Sequence, residues 1–295
     1  MAQNQIDTAR IIQFSSAVHV AAQQMKSRLS GIFPIRQMMG KSLAYDGVGS
    51  VEVSELTGRF NAVNFTDLAI TRRKLPRLRR SLTIPFDSAD ASQVLINQEA
   101  EYAAALVNAM SRAFDRIGIE AAFADVQTGE EFGTTVTFAG EGGLTVNATD
   151  GLTYFTLLEI AQNFIDNDVG TDLQEDFVFC ISGDEHTQLM KLTELTSGDF
   201  SRQMVIDKGE ITMAAGFRLV KFAANAPRPI LSVASGVRSA PVMCSRGLVY
   251  GMPAQFDITV QERTDLVQTS QIQINWILGC LRTEAALIQK VTTVD

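Results

Sequence analysis

The chain has 295 residues, 46% of them hydrophobic and 20% charged, with a formal net charge of −8. The acidic balance excludes binding of nucleic acid over the whole surface, because phosphates would be repelled. Three cysteines at wide spacing, Cys180, Cys244 and Cys280, exclude a disulfide framework and read as buried thiols in a reducing cytoplasm.

The length supports one large domain or two ordinary ones. Charge is sparser than in a typical solvated monomer, which leaves apolar surface for neighbours and points to an oligomer. The first ten residues are polar, without the apolar core of a signal peptide. No apolar run approaches the roughly 18 residues that span a bilayer. The expectation is a soluble protein made in the cytoplasm, with no membrane partner.

In chain order, Ile11 to Leu29 reads as a helix that Pro34 would stop. Val51 and Val53 alternate with Glu52 and Ser54, and Leu78, Arg80, Leu82 and Ile84 alternate with Arg77, Arg79, Ser81 and Thr83. Residues 45 to 86 therefore read as a long two-stranded excursion that needs a partner to lie on, since isolated hairpins are marginal in water. Ile96, Ala100, Ala103, Val107, Met110, Phe114, Ile117 and Ala121 form a helical stripe. Asp87 or Ser88 would cap it, and from Ser88 to Phe123 it would run about 50 Å at 1.5 Å per residue. Its polar flank carries Glu99, Arg112 and Asp115, and Gly118 weakens its last turns.

Residues 125 to 150 read as a loop or hairpin, and Leu152 to Ile165 as an amphipathic helix after Asp150. Phe177 to Ile181 reads as a buried strand. Ser182 and Glu185 make a capping box before a helix carrying Leu189, Leu192 and Leu195. The end is extended: Ile258 and Val260, then Ile272, Ile274, Trp276 and Leu278, and a last strand near Ala286 to Val291. These closing strands are candidates for a sheet beneath the long helix.

No residue set carries catalytic chemistry. His19 and His186 are far apart, and Cys180 with His186 matches no zinc spacing. Gly40-Lys41-Ser42 lacks the earlier glycine of a phosphate loop, since Ile35 holds that place, and Gly140-Glu141-Gly142-Gly143 lacks the following Lys-Ser/Thr. Glu130 and Glu131 adjoin in sequence and would point to opposite faces of a strand. No catalytic, cofactor or metal site is assigned, and no enzyme is expected.

Residues 71 to 80 do stand out. Arg72, Arg73, Lys74, Arg77, Arg79 and Arg80 lie there without an acid, and taking these six from the 25 basic residues leaves 19 against 33 acidic ones. Three readings are open: a solvated basic loop, a nucleic-acid patch, or an arm docking on the acidic body of an identical neighbour. The patch lacks aromatic residues for base stacking. Charge complementarity and the unsupported hairpin favour the docking arm, which makes all six candidate inter-subunit contacts.

The order of elements resembles the tailed-bacteriophage major capsid protein of the Hong Kong 97 fold. Glu210 to Lys221 is similar to the strand-glycine-strand phrase late in the axial domains of that family, with Ala226-Pro227 as the following turn. Glu262-Arg263, Gln271 to Leu278 and Gly279 to Glu284 resemble its closing strands and turn. The resemblance implies an α+β fold with an N-terminal arm (1–44), an extended loop (45–86), a peripheral domain with a spine helix on a β-sheet (87–124 and 248–295) and a central axial α/β domain (125–247). It implies a virion protein that self-assembles as pentamers and hexamers into an icosahedral head around double-stranded DNA, enclosed without sequence-specific binding. Portal, decoration and separate scaffolding proteins would be partners. The competing readings are another self-assembling shell or tail-structure protein, and a small-molecule-binding α/β enzyme using residues 150 to 230.

Overall fold

Hydrophobic alternation and helical stripes condense into the elements of a computed structural model. It describes residues 24–40, 42–49, 51, 53, 67–86, 98–149, 151–170, 176–192, 211–224, 229–253, 257–263 and 269–294. The chain opens with strands β1 (Ile35–Gln37), β2 (Leu43–Val48), β3 (Ile70–Leu75) and β4 (Leu78–Phe86), and then helix α1 (Gln98–Phe123). Strands β5 (Val126–Thr128), β6 (Thr134–Val136) and β7 (Leu144–Ala148) lead to α2 (Tyr154–Asp166), β8 (Phe177–Ser182) and α3 (Gly183–Met190). Two short-long strand pairs follow, β9 (Met213–Ala214) with β10 (Phe217–Phe222) and β11 (Val233–Ala234) with β12 (Val237–Cys244). The chain closes with β13 (Leu248–Met252), β14 (Asp257–Arg263), β15 (Thr269–Arg282) and β16 (Ile288–Val294).

Two compact units divide the chain, one of residues 1–26, 80–111 and 255–276, the other of 27–79, 112–254 and 277–295. In the first, β14 pairs antiparallel with β15 from Asp257↔Asn275 to Arg263↔Thr269. Ile272, Ile274 and Trp276 are buried there, as the alternation predicts.

In the second unit a seven-stranded sheet has the order β7-β16-β12-β8-β10-β9, with β11 on β12. Its central strand β8 is buried from Val178 to Ser182, as a strand covered on both faces should be. Leu157, Ile160 and Phe164 of α2 and Leu189 of α3 fill the core over it. The expected capping box is present: Ser182 N–H donates to Glu185 Oε2 at 2.6 Å, and Glu185 N–H to Ser182 Oγ at 3.4 Å. The hairpin turns at Ala215-Gly216 (φ 49° and 86°) and Ser235-Gly236 (φ 54° and 74°) have both central residues left-handed, which matches the twist of the flanking strands.

Four expectations are corrected. Residues 24–29 are not helical, and the rest of the expected Ile11–Leu29 helix lies outside the described residues, as do Asp87, Ser88 and Asp150. Helix α2 is capped by Thr153, whose side chain accepts from Thr156 N–H. Val51 and Val53 are exposed and outside the strands; β4 pairs with β15, not with the first arm of the hairpin. Pro76, which has no N–H for a ladder, separates β3 from β4 and lets the chain change sheets. The last strand, placed with the peripheral sheet, runs instead between β7 and β12 in the seven-stranded sheet. It buries Ile288, Gln289, Val291 and Thr293 there, and an alternating pattern does not say which strands will flank it.

The spine helix also differs in detail. Ile117 is buried, but Val107 is 47% exposed while Leu106 is 1% exposed. A four-three spacing averages 3.5 residues per turn, so on a 3.6-residue helix the stripe drifts about 20° per heptad. Gly118 is not a weakness. A Cβ there would sit 1.9 Å from Tyr250 Oη, and this bare spot admits Tyr250, which stacks on Phe114 at a centroid distance of 4.1 Å.

Candidate functional site

The basic segment begins on β3, the second strand of the four-stranded sheet β2-β3-β5-β6. Strands β2 and β3 pair from Leu43↔Leu75 to Val48↔Ile70, and Arg73 pairs with Thr128 of β5. Alternation along β3 therefore sends Arg73 and Leu75 inward, where they are 6% and 0% exposed, and Arg72 and Lys74 to the other face.

The segment is less free than its sequence implies, because the fold brings acids to it. Arg72 donates from Nε to Asp46 Oδ1 at 2.8 Å and from Nη2 to Oδ2 at 3.2 Å. This hydrogen bond holds the Asp46 carboxyl below its ordinary value. Arg73 pairs with Glu141 and is drawn inside, away from the face that carries Arg72 and Lys74. Lys74 Nζ donates to Gln127 Oε1 at 2.9 Å, and Arg77 Nη1 to the Gly40 carbonyl at 2.8 Å. Arg80 is half-buried, on the side of β4 shared with Leu82 and Ile84, whereas Arg77 and Arg79 are exposed. Two acids far away in sequence thus pair with Arg72 and Arg73, while Lys74, Arg77 and Arg79 meet only neutral acceptors or solvent.

Glu141 is shared with a second, fully buried guanidinium, that of Arg282 at the end of β15. Arg282 Nε and Nη2 donate to Glu141 Oε2 at 3.2 and 3.1 Å, and Nη1 to the carbonyls of Ala122 and Ala124 at 3.1 and 2.7 Å. Those carbonyls end the spine helix, where unpaired acceptors and the negative end of the dipole favour a cation. Burial works against the Arg282 charge, and Glu141 offsets it. Beside it, a cavity of ≈ 370 Å³ is lined in part by Lys74, Asp125, Gln127, Cys280 and Arg282.

Three further features escaped the sequence reading. Asp115, placed on the polar flank of the spine helix, is 0% exposed. It accepts from Ser27 Oγ at 2.5 Å, Arg28 N–H at 2.9 Å and Leu29 N–H at 3.2 Å, clamping the incoming chain to the helix. Gly279 faces Gly251 across β13 and β15. A Cβ on Gly279 would meet the Pro76 carbonyl oxygen at 1.8 Å, and one on Gly251 would meet Leu75 Cδ2 at 2.6 Å, so the glycine pair forms the slot that seats the β3–β4 crossing. Buried Arg238 donates to Ser182 Oγ and, at 3.4 Å, to Asp184 Oδ2, while Glu185 accepts from Thr293 Oγ1 at 2.5 Å. Only the Ser182–Glu185 part of that network has a sequence signature.

The other candidates have structural surroundings. His186 Nε2 accepts from Ile211 N–H at 3.2 Å; His19 and Lys41 lie outside the described residues. All three cysteines are buried, and burial pushes the thiols of Cys180 and Cys280 up, away from the reactive thiolate. Among the described residues no group of three or more His, Cys, Asp or Glu side chains is placed to hold a metal ion, and no helix is long and apolar enough to cross a membrane.

Solved structures share this fold over nearly the whole chain. The capsid of cyanophage P-SCSP1u matches with a TM-score of 0.74 at 13% identity, covering 98% of this chain and 94% of that one. The capsid of Helicobacter pylori bacteriophage KHP30 matches with a TM-score of 0.72 at 9% identity, over 100% and 99%. The capsid of a native GTA particle matches with a TM-score of 0.68 at 12% identity over both full chains. The fold is that of the phage capsids, the Hong Kong 97 type. A family model described as phage capsid protein matches residues 6–294. The chain belongs to the phage capsid protein family, and it is a major capsid protein of a phage head. No curated protein matches it.

Proposed function

We propose that copies of this chain assemble as pentamers and hexamers into the icosahedral head of a tailed phage, closed around double-stranded DNA whose sequence it does not read. The observation that carries this reading is agreement with capsids along the whole chain, in family and in fold. The chain is made in the host cytoplasm and ends in the virion, with portal, scaffolding and decoration proteins as further partners. The four segments from arm to axial domain keep the roles their order implies, except that β16 completes the seven-stranded sheet.

The basic segment serves assembly. Arg77 and Arg79, with Arg72, Lys74 and Arg80 at their margin, dock on an acidic surface of the adjacent copy, and Arg73 supports them from within. The uncovered Val48–Ile70 pair of the β2–β3 ribbon, 65% and 67% exposed, favours a partner that also covers apolar surface. Each exposed ion pair contributes only ~0–1 kcal/mol, but a shell repeats the contact many times.

The test is negative-stain microscopy of the chain expressed with the other head proteins of its phage. Closed shells are expected, and a small discrete oligomer in their place would overturn the reading. The Arg77→Glu/Arg79→Glu variant should keep a native circular dichroism spectrum and lose shells, most visibly at low salt, where repulsion is least screened. Normal shells from that variant at low salt would remove the docking role. Protection of these residues only in DNA-filled heads would reassign them to nucleic-acid contact.

A further inference from the structure

Helix α2 is apolar on two opposite sides. Leu157, Ile160 and Phe164 face the core at 0–2% exposure. At 100° per residue, Phe155, Leu158, Gln162 and Ile165 fall within about 80° of one another on the far side. There Phe155, Leu158 and Ile165 are 80%, 42% and 61% exposed. The outer face of a monomer's surface helix is normally polar. The charged residues of this helix, Glu159 and Asp166, are both acidic.

The same sheet offers the complement at its β9 edge. Met213 is 65% exposed and stands directly opposite exposed Arg218 in the β9–β10 hairpin, so an apolar side chain sits beside a positive one. Phe217 packs toward Phe164 of α2, with centroids 6.3 Å apart. Arg218, its neighbour on the strand, therefore points to the opposite face of the sheet, and Met213 goes with it. A chain cannot lay its own Met213 on the outer face of its own α2, whereas a second copy can.

Both patches are small. Each is a handful of side chains at most, well short of the ~800 Å² per partner of a stable pair. A contact joining two different patches suits a closed ring, in which every copy both gives and receives it.

We propose that the outer face of α2 is covered, in the assembled shell, by the β9–β10 hairpin of an adjacent copy. Met213 of that copy lies among Phe155, Leu158 and Ile165, and its Arg218 pairs with Glu159 or Asp166. This rests on the reading of the chain as a shell builder.

The experiment uses shells of the full chain. Phe155→Glu should fold normally by circular dichroism, since Phe155 is largely exposed, and should lower shell yield roughly tenfold, as loss of an interface anchor does. Arg218→Glu and the Glu159→Arg/Asp166→Arg pair should each lower the yield, and their combination should restore it. In oxidised shells carrying Leu158→Cys with Met213→Cys, a non-reducing gel should show a ladder of linked subunits that neither single variant gives. Wild-type yield from Phe155→Glu, or no ladder from the double-cysteine shells, overturns this contact and leaves the capsid reading intact. Absence of shells from the wild-type chain overturns both.

Discussion

The seven-stranded sheet and the β2–β3 ribbon are both hydrogen-bonded strands of apolar and polar residues, yet they hold the molecule in different ways. In the sheet, β8, β12 and β16 have neighbours on both flanks, and their side chains meet helices α2 and α3. The ribbon is buried at its base, where Leu75 is 0% exposed and Arg73 pairs with Glu141. Five residues further out the pair Val48–Ile70 is about two-thirds exposed. The contrast teaches that strand pattern alone does not separate residues that hold the monomer from those it leaves exposed. Burial in the single chain does.

That comparison can be broken most severely at its buried locks. Arg282→Met strips Glu141 of one partner and leaves the last carbonyls of the spine helix without a donor, so it should cost about 3–5 kcal/mol, as the loss of one member of a buried ion pair does. Chemical denaturation checks this, and a cost under about 1 kcal/mol would show that Arg282 does not hold the helix end. Asp115→Ala removes the acceptor from two backbone N–H groups and a hydroxyl, for an expected loss of about 3 kcal/mol. Limited proteolysis near Ser27 should become faster in the same variant.

Next comes the glycine slot. Gly279→Ala forces a methyl into the Pro76 carbonyl, and overpacking of this kind costs about 1–3 kcal/mol. A wild-type melting temperature would show that the β3–β4 crossing moves aside easily.

The smallest effects should come from exposed positions. Val107→Asp, which a strict stripe would make ruinous, should change folding stability by no more than about 0.5 kcal/mol, and Val48→Thr likewise. Val48→Thr should still lower shell yield if the ribbon lies on a neighbour. Should Val48→Thr unfold the chain instead, the ribbon belongs with the buried sheet and the contrast fails.

Much of the fold was legible because local geometry leaves a periodic trace. The Ser182–Glu185 box, the buried run of β8, the alternation in β4 and β15 and most of the spine helix could all be read from spacing and residue type, whereas the strand-glycine-strand phrase around Gly216 came only with the family resemblance. The six basic residues were also visible, but their availability was not. Arg72 and Arg73 meet Asp46 and Glu141, which lie 26 and 68 positions away in sequence. No periodicity links such partners.

By itself, the sequence determined the capping box after β8, the buried run of β8, the alternating strands β4 and β15, helix α2 and most of the spine helix, and where the basic charge is concentrated. These follow from backbone periods of 3.6 and 2 and from turn chemistry acting within a few residues. The tertiary structure alone decided that Asp115 is an internal clamp, that Glu141 serves Arg73 and Arg282 together, and that Gly251 and Gly279 form one slot. It also decided that β16 closes the seven-stranded sheet. Each of these depends on elements far apart in sequence meeting at contact distance, where the cost of an unpaired buried charge or a misplaced methyl selects one arrangement.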